Sequence, residues 1–489
     1  MQTQSATLAQ PSPRKWWAML GIGLGVFMST LDSSIVNISL PTLVERLNTD
    51  FATIQWVVLS YLLVITALTP SVARLGDMLG KKKLYVIGLI IFTLSSLLCG
   101  LAPNVGLLIA FRALQGTGSV MLTALGVAII TEVFPRSERG RALGIIGAIV
   151  STGIATGPTL GGLLIGLVSW HAVFLVNVPV GIVAIFIVTR VVPPLTLEPS
   201  KQHFDFIGGL IMMVVLICYA LGMTLAQDRG FSNSLIIGLL ASAAVGLVIF
   251  VLVERSIQQP TVDLRLFRNT LLSINLLMTF LVFLMMAGQF ILPFFLELVK
   301  GYPTEQTGLL VAIVPVTMGL VAPLSGTLSD RFGSRAISLI GLLVIAGACL
   351  LISTLNADIS PWGYLARLAP LGVGFGLFQS PNNSAIMGAA PRDKLGVVSG
   401  LLSLARTLGQ STGLPLMGVV FTAQVMAGGN IQAGMDVTAA PPADLVYGVQ
   451  NTFRIAALFI LMATTLAALA LWLDSRQHNP ATQKVPSAD

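Results

Sequence analysis

Charged residues are scarce in this chain: they make up 10% of its 489 residues, against roughly 25% in soluble domains. Hydrophobic residues make up 55%. This imbalance excludes an ordinary cytosolic protein and indicates a chain that lies within a lipid bilayer. The net charge of +7 does not indicate a nucleic-acid partner, because the basic residues stand in short segments between apolar runs, as membrane topology requires.

Cysteine and histidine are also rare, with three of each. All three cysteines lie inside apolar runs and none form a CxxC pair, which excludes a disulfide framework and a zinc site. No histidine stands in the middle of an apolar run, so we expect no histidine proton relay. The chain also has no Walker loop and no HExxH motif. We therefore expect no metal, no cofactor and no enzymatic activity, and an ion gradient as the energy source.

Long apolar runs, by contrast, fill the sequence. A membrane-spanning helix needs about 20 apolar residues, and fourteen segments meet this requirement. The predicted spans are residues 16–43, 54–74, 84–102, 105–131, 141–167, 171–191, 206–226, 233–253, 271–298, 308–328, 337–355, 361–388, 395–424 and 451–473. An even number of spans leaves both termini on the same side of the membrane.

The basic residues predict which side that is. Twenty of the 27 lysines and arginines fall in segments on the side of the termini and four on the other side. Because cytoplasmic segments carry an excess of Lys and Arg, both termini are predicted to be cytoplasmic. We expect a monomeric multi-pass protein of the plasma (inner) membrane of a bacterium, with the lipid bilayer as its surroundings and no nucleic-acid partner.

One carboxylate interrupts the first span. Asp32 is the only formal charge between Lys15 and Glu45, and a charge at membrane depth costs at least about 2.5–3.5 kcal/mol unless it faces a protein interior or a watery cavity. An acid that can exchange its charge for a proton is the obvious use of this position. Helices rise 1.5 Å per residue, which places Arg112 of the fourth span at a similar depth. The two side chains can therefore pair, either for proton coupling or as a static ion pair between helices.

The sequence also contains an internal repeat. The pairs that recur at similar offsets are Asp77 and Asp330, Gly80 and Gly333 (253 residues), Gly140 and Gly396, Gly153 and Gly409, Gly157 and Gly413 (256 residues), and Arg112 and Arg367 (255 residues). The repeat predicts two six-helix halves with two further helices between them, as in many secondary transporters. The predicted parts are residues 1–192 (N-terminal half), 193–268 (two inserted helices with linkers), 269–475 (C-terminal half) and 476–489 (cytoplasmic tail).

Four segments resemble motifs of one family, the major facilitator superfamily, and within it the fourteen-helix drug:proton antiporter branch. They are the first-helix segment Leu31–Pro41, the loop with Gly76 and Asp77, the fourth-helix segment Arg112–Gly118 and the fifth-helix segment Gly153–Gly162. The loop departs from the family pattern at Ala73 and Met78. The resemblance covers essentially the whole chain. It implies an all-α integral membrane protein with the major facilitator fold, made of two six-helix halves plus two inserted helices.

The resemblance further implies a proton-coupled antiporter that exports amphipathic, often cationic, small molecules by alternating access, as in multidrug efflux. Asp32 would be shared between proton and substrate, and Arg112 would help to discharge it. Gly153, Gly157 and Gly161 are spaced by four, so they share a helix face that allows close packing, and Pro158 can bend the helix. With Gly162 they form the antiporter motif, which the resemblance implies seals the protein against leak.

A cytoplasmic gate is predicted at the two loops of the repeat, at Gly76, Asp77, Gly80, Asp330 and Gly333. Asp77 would dock at the positive N-terminus of the thirteenth helix, and Asp330 would do the same at the fifth. The alternative for Asp77 is a solvated loop acid or a local turn former.

Polar and aromatic residues within the spans are candidates for the substrate cavity. They are Ser33, Asn37, Trp56, Tyr61, Gln115, Gln289, Asn382, Asn383 and Arg406. Each has an alternative role in packing or in a hydrogen bond between helices; for Arg406 it is a tie to backbone carbonyls. Glu297, near the outer end of the ninth span, is a possible second cation site or a residue at the mouth of the protein.

Two other functions stay open from the sequence. The chain could be a secondary transporter dedicated to one metabolite or lipid-like substrate, which the motifs do not distinguish from a multidrug exporter. It could also be a membrane receptor or scaffold that does not transport. The absence of a soluble signalling domain and the presence of Asp32 argue against the second alternative.

Overall fold

The computed structural model describes residues 14–135, 138–193, 206–257, 264–389, 395–429 and 436–477. Within them the chain forms fourteen long helical segments, which we number α1 to α14. They are α1 Arg14–Arg46, α2 Phe51–Leu79, α3 Lys81–Gly100, α4 Val105–Val133, α5 Arg139–Leu167, α6 Trp170–Leu175 with Asn177–Val191, α7 Phe206–Arg229, α8 Ser234–Ser256, α9 Thr270–Ala287 continued by Gly288–Phe290, Ile291–Phe294 and Phe295–Val299, α10 Thr304–Val311 with Ile313–Phe332, α11 Ser334–Ile352, α12 Pro361–Gly388, α13 Leu395–Gly428 and α14 Pro442–Gln477.

Thirteen of these helices are long and apolar enough to cross a membrane, as judged within the described residues. The fourteenth, α12, is 28 residues long but is more polar, because it carries Arg367, Asn382 and Asn383. The all-α, multi-pass membrane fold expected from the composition is therefore confirmed.

The first six helices and the last six pack in the same way. Extended contacts join α1 to α5, α2 to α4, α3 to α4 and α3 to α6, and the same pairs recur as α9 with α13, α10 with α12, α11 with α12 and α11 with α14. In each half, a pair of glycines lies where two helices cross: α3 with α4, and α11 with α12. A methyl group added to Gly118 on α4 would lie 2.8 Å from the Gly88 carbonyl oxygen of α3, and one added to Gly374 on α12 would lie 2.9 Å from the Gly341 oxygen of α11.

These crossings fix the register of the repeat and correct one sequence match. Gly118 and Gly374 are 256 residues apart, which aligns Arg112 with Leu368 rather than with Arg367. Leu368 is fully buried. Arg367 instead donates hydrogen bonds to Thr354 Oγ1 at 2.8 Å and to the Gly363 oxygen at 3.1 Å. The match between Arg112 and Arg367 is therefore wrong by one residue, although the repeat itself is present.

Two glycines of the predicted gate terminate helices. Gly80, between α2 and α3, has φ 94°, and Gly333, between α10 and α11, has φ 86°. Residues other than glycine rarely adopt such positive φ values, whereas glycine adopts them freely because it has no Cβ atom. Each glycine N–H also caps the preceding helix, at 3.0 Å from the Gly76 oxygen and 2.9 Å from the Ser329 oxygen. The two halves therefore share the same tight turn.

The remaining gate residues are only partly covered by the structure. Gly76 lies against Leu125 of α4, where a larger side chain would clash. The side chains of Asp77 and Asp330 lie outside the described residues, so the docking role assigned to them stays a prediction.

The inserted helices α7 and α8 form a hairpin that contacts both halves. Helix α7 packs against α2 and α13, and α8 packs against α7. The apolar side chains of Met212 and Leu216 on α7 belong to one buried cluster with Leu63 of α2 and Leu401 of α13. This hairpin therefore fills the groove between the halves on one side of the bundle.

The two halves meet at the predicted extracellular end of the bundle. The ring of Phe51 at the start of α2 lies 5.6 and 5.1 Å from the rings of Phe290 and Phe294 of α9, and 5.5 Å from Phe421 of α13. Thr42 of α1 shares a hydrogen bond of 3.3 Å with Thr304 of α10. The structure therefore represents a conformation in which the halves are closed against each other at this end.

Candidate functional site

A buried ion pair lies inside the N-terminal half. Arg112 of α4 donates from Nη1 to Asp32 Oδ2 of α1 at 2.5 Å. The side chain of Asp32 is 0% exposed and that of Arg112 is 1% exposed. Because neither charge reaches solvent, each depends on the other for compensation.

Amide side chains complete the surroundings of the carboxylate. Asp32 Oδ1 accepts hydrogen bonds from Gln115 Nε2 at 2.9 Å and from Asn177 Nδ2 at 3.2 Å. Gln115 Nε2 also donates to Ser96 Oγ at 2.8 Å. These partners come from α3, α4 and α6, so Asp32 faces the interior of the N-terminal half rather than the space between the halves.

Arg112 is held by contacts on several sides. Its Nε donates to the Val57 carbonyl oxygen at 2.9 Å, and its Nη1 also donates to Gln115 Oε1 at 2.5 Å. The guanidinium carbon lies 4.2 Å from the centre of the Tyr61 ring, a distance typical of a cation–π contact. Within the described residues Nη2 makes no hydrogen bond, which leaves one donor group for a further partner.

Tyr61 connects the ion pair to a group of hydroxyls. Its hydroxyl shares a hydrogen bond of 2.7 Å with Ser119 Oγ, and it donates to the Ser29 carbonyl oxygen at 3.2 Å. Ser33 Oγ donates to the Tyr61 hydroxyl at 3.2 Å. Ser33 and Tyr61 both line the central cavity. The ring of Tyr61 therefore contacts Arg112, while its hydroxyl belongs to a group that extends from the cavity wall into the N-terminal half.

The central cavity lies between the two halves and has a volume of about 140 Å³. Helices α1, α2, α4 and α5 contribute one wall, and α9, α10 and α13 contribute the other. Polar lining residues are Ser33, Ser34, Asn37, Tyr61, Arg112, Gln289 and Gln410. None of the described lining residues is an aspartate or a glutamate, because Asp32 lies behind Arg112 as seen from the cavity.

The structure places the other cavity candidates elsewhere. Gln115 is fully buried beside Asp32, and Trp56 packs among apolar side chains. Asn382 joins α12 to α9 by donating to Thr279 Oγ1 at 2.8 Å. Asn383 accepts a hydrogen bond from Arg406 Nη2 at 2.8 Å. None of these four lies among the residues that line the cavity within the described part of the chain.

The glycines of the fifth-helix motif lie against two different helices. Methyl groups added to Gly153, Gly157 and Gly161 would lie 3.2 Å from Leu31 N, 2.7 Å from Ser34 Cβ and 2.8 Å from Ile35 Cγ1 of α1. Gly162 faces α10, where an added methyl would lie 3.2 Å from the Gly308 Cα atom. Pro158 lines the cavity. The motif therefore packs α5 onto its own half and also onto the opposite half.

Glu297 lies at the predicted extracellular end of α9, within its π-helical turn. Its Oε1 atom is buried without a hydrogen-bond partner in the described residues. The second cation site suggested for this residue stays a prediction.

Asn177 and Ser96 are the site residues that the sequence analysis missed. Asn177 begins the second segment of α6 and is 1% exposed. The signal was present, since an amide two residues before Pro179 interrupts an apolar run. A buried polar side chain needs a partner, and the buried acid of α1 was one candidate.

Comparisons with known proteins cover most of the chain. The family model described as Major Facilitator Superfamily matches residues 22–414. The riboflavin transporter RibZ of Clostridioides difficile (strain 630) is 35% identical over 404 residues, which cover 82% of this chain and 87% of that protein. The multidrug resistance protein Stp of Mycobacterium tuberculosis (strain CDC 1551 / Oshkosh) is 34% identical over 412 residues, covering 84% of this chain and 76% of Stp.

Solved structures share the fold. A bacterial homologue of the human lysosomal transporter Spinster, in an inward-facing and unoccupied conformation, superposes with a TM-score of 0.65 at 17% identity, over 96% of this chain and 99% of that one. The family model and the relatives confirm the family resemblance noted in the sequence motifs. This chain belongs to the Major Facilitator Superfamily, and several of its relatives are named as multidrug resistance or multidrug transporter proteins.

Proposed function

We propose that this transporter is a proton-coupled antiporter that exports amphipathic small molecules from the cytoplasm by alternating access. Its place would be the inner membrane of a bacterium, with both termini cytoplasmic. The observation that carries the proposal is the buried pair of Asp32 and Arg112, in which Arg112 lines the central cavity and Asp32 lies behind it. The names of the multidrug relatives support the export of several compounds, whereas that of RibZ supports a dedicated substrate.

The ion pair has two states that differ in charge. While Asp32 is ionised, it holds Arg112 by the 2.5 Å hydrogen bond. Protonation of Asp32 would remove the charge that compensates Arg112, and a buried unpaired cation is costly. Arg112 would then turn toward the cavity, where its Nη2 group already lacks a partner. In this way, protonation of Asp32 changes the charge that the wall presents to the cavity.

The contacts between the halves support the alternating-access part. The Phe51 contacts and the close approach of Gly162 to Gly308 close the predicted extracellular end. Opening that end requires these contacts to separate while each half keeps its internal packing, as in the rocking motion by which repeat-built transporters expose a central site to each side.

The energy supply is sufficient for useful export. One proton that moves down about 100 mV and one pH unit releases roughly 3.7 kcal/mol. An exchange of one proton for one neutral molecule can therefore sustain a gradient of about 500-fold.

The test uses proteoliposomes with an imposed pH gradient and two fluorescent probes, riboflavin and the lipophilic cation ethidium. We expect the wild type to move at least one probe against its gradient and Asp32→Asn to move neither. Asp50→Asn is the matched control, because Asp50 caps α2 by accepting from Thr53 N at 2.7 Å and from Thr53 Oγ1 at 2.8 Å, and asparagine caps helices as well. Gradient-driven export that survives in Asp32→Asn would disprove the proposed coupling.

The same assay separates the second candidate function. A carrier dedicated to one metabolite, which the similarity to RibZ favours, would move riboflavin and leave ethidium in place. Movement of both probes supports the multidrug function.

A further inference from the structure

Arg406 is a cation inside the bundle that has no acidic partner among the described residues. It lies eleven residues from the start of α13 at Leu395, or about 16 Å along the helix. Its Nη2 donates to Asn383 Oδ1 at 2.8 Å, and its guanidinium carbon lies 5.6 Å from the centre of the Phe283 ring. Its Nε atom is buried and has no partner, and no carboxylate pairs with Arg406 in the described part of the chain.

This arrangement differs from that of Arg112, whose charge Asp32 neutralises. A positive charge at membrane depth is costly and is retained where it serves a partner or a pathway. An amide oxygen and an aromatic face compensate a guanidinium only in part. Arg406 therefore has charge and at least one donor to offer to a group that the described part of the chain does not supply.

Arg406, expected from the sequence in the cavity, is not among the described residues that line it, but it shares a helix face with residues that are. Gln410 and Leu414, four and eight residues further along α13, both line the cavity, and residues spaced by four lie on the same side of a helix. Across the cavity wall formed by α9, the Gln289 Nε2 atom is also buried without a partner. The wall of the C-terminal half thus presents hydrogen-bond donors, and no acid lies among the described lining residues.

We infer that Arg406 and Asn383, together with Gln410, form an anion-binding subsite that extends the central cavity toward the predicted cytoplasmic end. Its ligand would be a carboxylate group on an amphipathic substrate, since a guanidinium binds the two oxygens of a carboxylate through two parallel hydrogen bonds. This inference rests on the proposed function only in taking the cavity as the substrate site. It runs against the expectation of mostly cationic substrates, because a cation would meet Arg406 and no compensating acid.

The test compares two dyes with the same xanthene ring system and opposite charge, fluorescein (anionic) and rhodamine 123 (cationic). Binding to the purified full-length protein in neutral detergent is measured by fluorescence polarisation, without any gradient. We expect the wild type to bind fluorescein at least tenfold more tightly than rhodamine 123. Arg406→Gln should lose most of this preference, by about tenfold, while Arg406→Lys should retain part of it, because a lysine keeps the charge but not the planar fork.

Arg367→Gln is the matched control, because Arg367 bonds to Thr354 and Gly363 near the predicted extracellular end and does not line the cavity. It should bind both dyes as the wild type does. The inference is overturned if the folded wild type shows no preference for fluorescein, or if Arg406→Gln keeps that preference unchanged. Should Arg406→Gln fail to elute as a single species in gel filtration, the wild-type preference and Arg406→Lys still decide the matter.

An anionic lipid head group offers the same chemistry as an anionic substrate, so the binding is repeated with added phosphatidylglycerol. If the lipid displaces fluorescein from the wild type in an Arg406-dependent way at equal concentration, the natural occupant is lipid and the small-molecule subsite is rejected. Because binding needs no proton gradient, a result in which Asp32→Asn exports normally while Arg406→Gln loses fluorescein would reject the coupling proposal and leave this one standing.

Discussion

The two halves of the bundle pack their helices in the same way, but the equivalent central positions are charged in the N-terminal half and apolar in the C-terminal half. Gly153 of α5 approaches Leu31 N of α1, and Gly409 of α13 approaches Leu284 N of α9, at 3.2 and 3.1 Å from an added methyl. This register places Met285 where the N-terminal half has Asp32, just as Leu368 stands in the place of Arg112. The C-terminal half therefore has a buried apolar pair where the N-terminal half has an ion pair.

The comparison bears on why the ion pair exists. The C-terminal half achieves the same helix contacts without charges, so the fold itself does not need them. A buried ion pair is often no more stable than apolar side chains of similar volume. The static tie between helices, the alternative to proton coupling, thus explains the contact between Asp32 and Arg112 poorly, and the coupling proposal gains support.

The largest effect is expected when one half of the ion pair is replaced by its apolar counterpart. Arg112→Leu leaves Asp32 buried without its cation and should lower the free energy of unfolding by about 3–5 kcal/mol. The double variant Asp32→Met with Arg112→Leu copies the C-terminal half and should recover most of that loss, while gradient-driven export stays absent. Thermal unfolding in detergent and the proteoliposome assay measure the two effects. A double variant no more stable than Arg112→Leu would show that the halves are not interchangeable at this position.

A second prediction concerns the contact between the halves instead of the contacts within them. Gly162→Val should disrupt the approach to Gly308, and overpacking of this kind typically costs 1–3 kcal/mol, which shifts the closed population by about 5- to 150-fold. The readout is the yield of a disulfide between Thr42→Cys and Thr304→Cys, whose hydroxyls lie 3.3 Å apart, in a background with the native cysteines replaced by alanine.

Gly147→Val serves as the control on the same helix, because an added methyl at Gly147 meets no atom of another element within 4 Å. Its cross-linking yield should equal that of the parent. An unchanged yield in Gly162→Val would mean that this contact does not hold the predicted extracellular end closed.

The smallest effect is expected at the polar contact of the C-terminal half. Asn382→Leu removes the hydrogen bond to Thr279 Oγ1 and should lower the free energy of unfolding by about 1–2 kcal/mol. Because this contact only joins α9 to α12, the dependence of export on the pH gradient should not change. A loss of coupling in Asn382→Leu that exceeds its loss of stability would contradict the assignment of proton chemistry to the N-terminal half alone.

The sequence predicted the elements of the fold better than their irregularities. Apolar runs of about 20 residues identify membrane helices directly, and each predicted span has its helix. The breaks in α9 and α10 were not foreseen, because a π-helical turn such as Phe295–Val299 depends on packing around it and leaves no regular pattern in the sequence.

The site could be predicted from the sequence only where the depth of a side chain in the membrane determines which side chain it contacts. Asp32 and Arg112 were expected at similar depth, and they pair. Depth does not specify which face of a helix a side chain occupies, which is why Gln115 was expected in the cavity and lies instead against Asp32. Asn177 escaped notice because its partner comes from 145 positions away in the chain. Such pairings depend on the tertiary arrangement, which local patterns in a single sequence do not indicate.

The inserted hairpin makes the two flanks of the transporter unequal toward the lipid. Helix α7 lies across the groove between α2 and α13, whereas no third helix is in extended contact with both α5 and α10 in the described residues. A lipophilic molecule that diffuses laterally in the bilayer thus finds the interface between α2 and α13 covered by α7. The interface between α5 and α10 on the opposite side is not covered by a further described helix. The hairpin thus makes a bundle of near two-fold symmetry asymmetric in how lipid reaches the two interfaces between its halves.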